Sequence, residues 1–104
     1  MNKAGGLVRV KPGDFKMASA AGSLCSTAKD LLNWSIALHH SERLLSKDSY
    51  RAMASPSKLA DGTALRYGLG LELNNYKGNE VFSHHGVIEG FLSDIKYLVV
   101  VYNV

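Results

Sequence analysis

Leu65-Arg66-Tyr67-Gly68-Leu69-Gly70-Leu71-Glu72-Leu73 is the stretch at which the hydrophobic pattern of this chain changes. Every second side chain in it is Leu or Tyr, whereas the residues between them are charged residues or glycine. Such alternation is typical of a β-strand with one buried face. Apolar residues recur at helical spacing before this stretch, and further alternating segments follow it. The order predicts an α+β fold, in which two helices pack on a three- or four-stranded antiparallel sheet.

The other strands are predicted from turn residues and from alternation. The polar run at positions 74–79 supplies a turn, and residues 80–84 return as the second strand of a hairpin. Residues 86–90 form a tight connection to a strand that begins at Phe91. A continuous apolar run from Leu98 to Tyr102 follows without a turn, which is typical of a strand buried on both faces. Two interpretations stay open: one long strand from Phe91 to Tyr102, or a hairpin that has lost its turn.

A first helix is predicted from Ala28 to His39. Thr27 and Asp30 have the spacing of a capping box, in which the hydroxyl of the first residue accepts a bond from the backbone N–H three residues later. The apolar side chains that recur at helical spacing are Leu31, Trp34 and Leu38. We expect this face to be buried, with Trp34 as a core anchor.

A second, shorter helix is predicted from Lys47 to Ala54. Ser46 is a favourable N-cap residue, because its hydroxyl can accept a bond from the first helical turn. Pro56 prevents the helix from continuing, since proline lacks the N–H that the next turn needs.

The 104 residues suit one small domain. Residues 1–22 are rich in glycine and alanine and are predicted to form a loosely ordered N-terminal arm, whereas residues 23–104 form the folded part. Cys25 is the only cysteine, so an internal disulfide is excluded. Its apolar neighbour Leu24 favours a buried structural thiol.

The net charge of +3 comes from basic residues that are scattered along the chain. Nucleic-acid-binding modules carry a clustered basic patch, so we expect no nucleic-acid partner. No apolar stretch approaches the ~18 residues of a membrane span, so no membrane span is expected. No export signal is recognisable, and the compartment therefore stays unassigned.

Four segments, in this order, resemble the serine β-lactamase-related family, which includes class C β-lactamases, D-alanyl-D-alanine carboxypeptidases and penicillin-binding-protein-like esterases. The two longer ones are an "STxxDL" helix opening and an "H-x-G…G-F" segment. The shorter ones are an "LLS" helix start and a "YGLG" strand. In chain order they are the helix opening at residues 21–32, "LLS" at 44–46, "YGLG" at 67–70 and the "H-x-G…G-F" segment at 82–91. The resemblance covers a late, C-terminal section of the family's longer domain and implies a partial β-lactamase-like fold.

The resemblance also implies where a substrate would bind. In this family a serine of an S-x-x-K motif is acylated, a Tyr of Y-x-N assists proton transfer, and the H-x-G strand forms one wall of the groove. Backbone N–H groups of such a wall stabilise the oxyanion of the acyl intermediate. The substrate-binding residues that it implies here are His84, His85 and Gly86 of the motif and Val87, whose N–H would be the oxyanion donor.

The two glycines of the "YGLG" segment have two interpretations. A glycine in a strand admits close approach of a substrate backbone, or it permits a helix to pack over the sheet. The pattern of Gly68 and Gly70 does not decide between these roles.

The rest of the family's catalytic machinery is missing. The chain has no Y-x-N, S-D-N or K-T-G motif. The string S-x-x-K occurs at Ser26–Lys29 and at Ser55–Lys58. The resemblance places the first string at a helix cap, however, and Pro56 disturbs the second. We therefore assign no catalytic residue.

Two functions from different classes follow. In the first, the chain is a fragment of a β-lactamase/DD-peptidase-like serine hydrolase. The fragment is expected to be inactive alone, because the nucleophile motif and the Y-x-N motif are missing. The alternative is a non-catalytic interaction or oligomerisation module derived from that fold. We expect no cofactor, and no metal site, since the pairs His39-His40 and His84-His85 lack carboxylates at a matching spacing.

The expected partners follow from the parts of the family fold that the resemblance does not cover. Without them the sheet has an exposed edge and an apolar face, which self-association would cover. We therefore expect a homo-oligomer or a complementary chain. A β-lactam or peptide-like substrate is expected only where such a partner completes the site.

Overall fold

The computed structural model describes residue 6 and residues 19–100. Within these residues the chain forms three helices followed by one three-stranded antiparallel sheet. The helices are α1 (Ser19–Gly22), α2 (Ala28–His40) and α3 (Lys47–Met53), and the strands are β1 (Glu72–Tyr76), β2 (Asn79–Ile88) and β3 (Phe91–Leu98). The predicted α+β class is therefore confirmed.

Hydroxyl caps begin α2 and α3, as predicted. The Thr27 hydroxyl oxygen accepts a hydrogen bond from the backbone N–H of Asp30 at 3.1 Å. The Ser46 hydroxyl accepts one from the N–H of Ser49 at 3.2 Å. Each bond satisfies an N–H group that the first helical turn leaves without a partner, and such a cap typically stabilises by ~1 kcal/mol.

The buried face of α2 is not the predicted one. Leu38 is buried at 5% exposure, but Trp34 is 46% exposed and Leu31 is exposed as well. The expectation that Trp34 anchors the core is therefore wrong. Burial in α2 begins only at Ser35, so the side chains of the first two turns of the helix are exposed.

The stretch with the clearest alternation is a strand only at its end. β1 begins at Glu72, and residues 65–71 form an irregular segment beside the end of α3. A Cβ atom on Gly68 would collide with the backbone carbonyl of Met53. The Leu69 N–H donates to the same carbonyl at 3.0 Å. Gly68 thus permits close packing on α3. At Leu69 the backbone of this segment forms a hydrogen bond to the end of the helix instead of to a neighbouring strand.

The strands form a meander in the order β1-β2-β3. The first turn is Lys77-Gly78, where both residues have positive φ (51° and 86°), as the tightest hairpin turns require. This turn is shorter than the predicted one, so β1 continues through Tyr76. β2 likewise continues to Ile88, through part of the predicted connection.

β3 ends at Leu98, so it is shorter than a single strand from Phe91 to Tyr102 would be. The Val99 N–H still donates to the Glu80 carbonyl at 2.9 Å, which extends the pairing with β2 by one residue. The predicted apolar run also includes residues 101 and 102, which lie outside the described residues.

The N-terminal arm falls mostly outside the described residues. Its last four residues form the single turn α1. Cys25 is exposed, so the expectation of a buried thiol is wrong. None of the helices in the described part of the chain is long and apolar enough to cross a membrane.

Candidate functional site

The four residues predicted to bind substrate, His84, His85, Gly86 and Val87, are consecutive in β2. Consecutive side chains of a strand point to opposite faces, so the two imidazoles diverge. His84 Nε2 lies 2.9 Å from the hydroxyl of Tyr67. His85 Nδ1 lies 2.5 Å from Oε1 of Glu72. Each histidine therefore has its own partner.

The backbone of β2 directs its N–H and C=O groups alternately toward β3 and toward β1. The bond from Val99 to Glu80 and the pairing of Ile88 with Phe91 beside the turn fix the order of this alternation. Even-numbered residues of β2 bond to β3, and odd-numbered residues face the β1 side. The N–H of Val87 therefore faces the β1 side.

β1 covers only the first half of β2. Its last cross-strand pair is Glu72 with Ser83. Beyond that pair, no described residue forms a bridge to β2 on this side. The backbone groups of His85 and Val87 consequently face an open edge. In the described part of the chain the N–H of Val87 therefore has no strand partner, which is the arrangement that a backbone oxyanion donor needs.

Gly86 lies where a side chain of β3 occupies the space that its own Cβ atom would take. A Cβ atom there would collide with the hydroxyl oxygen of Ser93, the cross-strand partner of Gly86. The motif glycine therefore makes room for the Ser93 side chain. Ser93 also begins an S-x-x-K string, Ser93–Lys96, which the sequence analysis missed.

A polar network holds His85 on the opposite face from His84. Glu72 accepts a hydrogen bond from the Ser83 hydroxyl at 3.0 Å as well as from His85. The Asn74 amide donates to the Ser83 hydroxyl oxygen at 3.1 Å. The bond from Ser83, together with the His85 contact, lowers the pKa of the Glu72 carboxyl below its ordinary value. Glu72 is thus a carboxylate that orients His85.

None of the three S-x-x-K serines has a lysine as hydrogen-bond partner within the described residues. The Ser26 hydroxyl donates to the Thr27 carbonyl at 3.4 Å, and Ser26 precedes the helix cap. The Ser55 hydroxyl donates to the Arg51 carbonyl at 2.6 Å. Ser93 lies in a strand, where a residue three positions on points to the other face. A nucleophile needs a base within hydrogen-bond reach, and none of these serines has one.

A second cluster joins the end of α2 to the sheet. The His39 ring stacks on Tyr97 with centroids 3.9 Å apart, and its Nδ1 lies 2.7 Å from the Tyr50 hydroxyl. Burial lowers the pKa of His39, with a smaller contribution from His40. Burial also raises the pKa of Tyr50. These rings border an open cleft of about 470 Å³ that Phe82 also lines.

The residues of the two histidine pairs do not converge on one point. Within residue 6 and residues 19–100, no group of three or more potential metal ligands is close enough to hold an ion. The described histidines instead contact Tyr and Glu side chains.

A comparison with protein families identifies the family of this chain. The sequence model of one family, described as Beta-lactamase, matches residues 1–102. The chain belongs to the β-lactamase family. Neither the curated proteins nor the solved structures compared with it include a match. The resemblance drawn from the four motif segments is thereby confirmed, and so is the relationship to serine hydrolases.

Within this β-lactamase-family chain, the sequence identified the H-x-G strand but not its supporting residues. The sequence pattern includes Tyr67 only as a member of the "YGLG" segment, and it includes Glu72 and Ser83 only as strand residues. The signal that could have found them is the register, since Glu72 and Ser83 are cross-strand partners. That register depends on the two-residue turn at Lys77-Gly78. The polar run at positions 74–79 does not indicate which two of its residues form that turn.

Proposed function

We propose that the open half of β2 is the substrate-binding wall of a serine acyl-transfer site, and that the nucleophile comes from outside these 104 residues. The substrate class is a β-lactam or a peptide-like acyl compound. The observation that carries the proposal is the open edge beyond Ser83, toward which the N–H of Val87 points. An extended acyl substrate would align along this edge with its carbonyl oxygen at that N–H.

The side chains around the edge support the same role. His84 lies at the first position of the H-x-G motif, and its ring is held by the Tyr67 hydroxyl at 2.9 Å. His85 is held on the other face by Glu72. Fixed imidazoles beside an open strand edge can orient the polar groups of a ligand without a further loss of side-chain freedom.

The absence of a serine–lysine contact in the described residues supports the second part of the proposal. An acyl-enzyme requires a hydroxyl that an adjacent base can deprotonate. The hydroxyls of Ser26 and Ser55 donate to backbone carbonyls instead. We therefore expect the isolated chain to bind substrate weakly and not to react with it.

Intact-mass measurement after incubation with a fluorescent penicillin and an activated ester tests the reaction. The expected result is no covalent adduct on a sample whose circular dichroism shows a folded chain. An adduct that maps to Ser26 would contradict the proposal, because the chain would then carry its own nucleophile.

Amide NMR with penicillin as a reversible probe tests the binding wall. Val87→Pro removes the N–H, and we expect the sheet to tolerate it because that N–H faces the edge instead of β3. Val87→Ala is the matched control, since it shortens the side chain but keeps the N–H. We expect shift changes at residues 84–88 in the parent and in Val87→Ala, and none in Val87→Pro. Equal responses from all three proteins would exclude this N–H as the donor.

A non-catalytic interaction module is the second candidate function. The exposed apolar side chains of the described unit favour it, among them Leu24 at 87% and Leu92 at 82% exposure. Exposed apolar surface of this kind marks interaction sites. A folded chain that binds no penicillin at millimolar concentration, yet associates with a protein partner, would favour this candidate over the acyl-transfer wall.

A further inference from the structure

β3 is the outer strand of the sheet on the side away from β1. Its odd-numbered residues bond to β2, because the Val99 N–H donates to Glu80 and the alternation continues back along the strand. The outward-facing backbone groups are those of Leu92, Asp94, Lys96 and Leu98. In the described part of the chain nothing pairs with this row. A free row of N–H and C=O groups is a template for another strand.

Two charged side chains lie in the middle of this edge. Asp94 and Lys96 are on the same face of the sheet and form an ion pair with each other along the strand. Their side chains are 51% and 64% exposed, respectively. A charge on an edge strand usually opposes pairing with a second strand. Here the charges have opposite signs and are two residues apart, so the effect depends on the register.

Only one two-fold register satisfies both charges. Antiparallel pairing of two β3 strands centred on Ile95 places Asp94 opposite Lys96 of the second copy, and Lys96 opposite Asp94 of that copy. A pairing centred on Asp94 opposes two aspartates, and one centred on Lys96 opposes two lysines. Registers centred between residues place outward-bonding groups opposite inward-bonding ones, so no ladder forms.

The same register also matches apolar side chains. It places Leu92, which is 82% exposed, opposite Leu98 of the second copy, which is 43% exposed. The leucine pair occurs twice in the dimer, once on each side of the charged pairs and on the same face of the sheet. Pairs of apolar residues and of opposite charges directly across a ladder are both stabilising.

We propose that this chain forms a two-fold dimer through antiparallel pairing of β3 with β3 of a second copy, centred on Ile95. The two three-stranded sheets then become one continuous sheet of six strands. The interface is isologous, as a two-fold dimer requires, because each contact occurs twice. The proposal is independent of the acyl-transfer wall. That wall is the edge of β2 that faces away from β3, whereas the dimer uses the outer edge of β3.

Charge reversal with mass measurement by light scattering tests the interface. Asp94→Lys and Lys96→Asp each create two like-charge pairs in the proposed register. We expect each variant alone to dimerise at least about a hundredfold more weakly than the parent, because like charges directly opposite each other in a ladder are destabilising. An equimolar mixture of the two variants restores every opposite-charge pair. We expect the mixture to regain the mass of a dimer.

Cysteine cross-linking tests the register in a Cys25→Ser background. Ile95 faces Ile95 of the second copy in a pair without backbone hydrogen bonds, where Cα atoms are ~4.5 Å apart and a disulfide can form. We therefore expect Ile95→Cys to cross-link under mild oxidation. Ser93→Cys is the matched control on the same face. It faces Tyr97 of the second copy, so we expect it to remain uncrosslinked.

The results that would overturn the proposal differ from those that would overturn the acyl-transfer wall. A parent chain that stays monomeric at all accessible concentrations excludes the dimer. Single charge variants that remain dimeric, or equal cross-linking at positions 93 and 95, exclude this interface. A complementary protein that binds β3 in preference to a second copy also excludes it. None of these results bears on penicillin binding at Val87.

Discussion

The two halves of β2 differ in what covers them. In the half next to the Lys77-Gly78 turn, Ser83 is 3% exposed and the Phe82 ring stacks parallel to that of His39. In the other half, Val87 is 69% exposed. Both halves pair with β3, so the difference arises from β1, which pairs only with the first half, and from α2, which packs there.

Under the proposed function, this one strand serves both stability and binding. The covered half fixes the position and twist of the strand, because it is held by a neighbour on each side. The open half continues from that anchor without pairing with β1, so its backbone donors are held in a defined place. Donors on a rigid element need no rearrangement when they bind, which is the advantage of building a site on a strand.

Shortening one side chain in each half is the strongest way to compare how much the two halves contribute to stability. We expect Phe82→Ala to lower the free energy of unfolding by about 2–4 kcal/mol, because it removes packing against His39 and Tyr97. We expect the control Val87→Ala to change it by less than about 0.5 kcal/mol, as is usual for exposed positions. Urea unfolding followed by circular dichroism measures both. Similar losses would mean that the open half is packed in solution.

The pH dependence of stability is expected to arise in the covered half. Burial lowers the pKa of His39, so the folded state favours its neutral ring. As the pH falls below the ordinary value of 6.5, the unfolded chain takes up a proton before the folded chain does. The contribution of His39 is therefore complete above that pH and is lost progressively below it.

Replacing the ring isolates this effect. We expect His39→Phe, which keeps a ring against Tyr97, to lose less stability than the parent between about pH 7.5 and about pH 5.5. His85→Phe is the control from the open half and is expected to keep the decrease that the parent shows. The urea midpoint at each pH measures the change. An undiminished decrease in His39→Phe would assign the pH dependence to other groups.

Local signals in the sequence predicted the parts of the fold that depend on neighbouring residues. Thr27 and Ser46 start their helices as predicted, because a cap is formed within one turn. The exposure of Trp34 was not predictable from spacing, since it depends on which turns of α2 pack against the rest of the chain. The late start of β1 was missed for a similar reason: Gly68 packs against Met53, and no alternation pattern reports that contact.

The candidate site was also predictable only where it depends on neighbouring residues. The H-x-G motif was recognisable because its residues are consecutive in sequence. The bond between Tyr67 and His84, and the one between Glu72 and His85, join residues 17 and 13 positions apart. Such contacts depend on the register of the hairpin, and one residue of slip would reverse every face.

Hydrogen exchange separates the two sides of the open half without any substitution. We expect the amides of His85 and Val87 to exchange at least about tenfold faster than those of Gly86 and Ile88, after correction for intrinsic rates. The reason is that the even-numbered amides donate to β3, whereas the odd-numbered ones face the edge beyond Glu72. Amide NMR in deuterated buffer resolves the four residues. Equal protection of Val87 and Ile88 would mean that another segment pairs with this edge, and the N–H proposed to meet an oxyanion would then be occupied in a ladder.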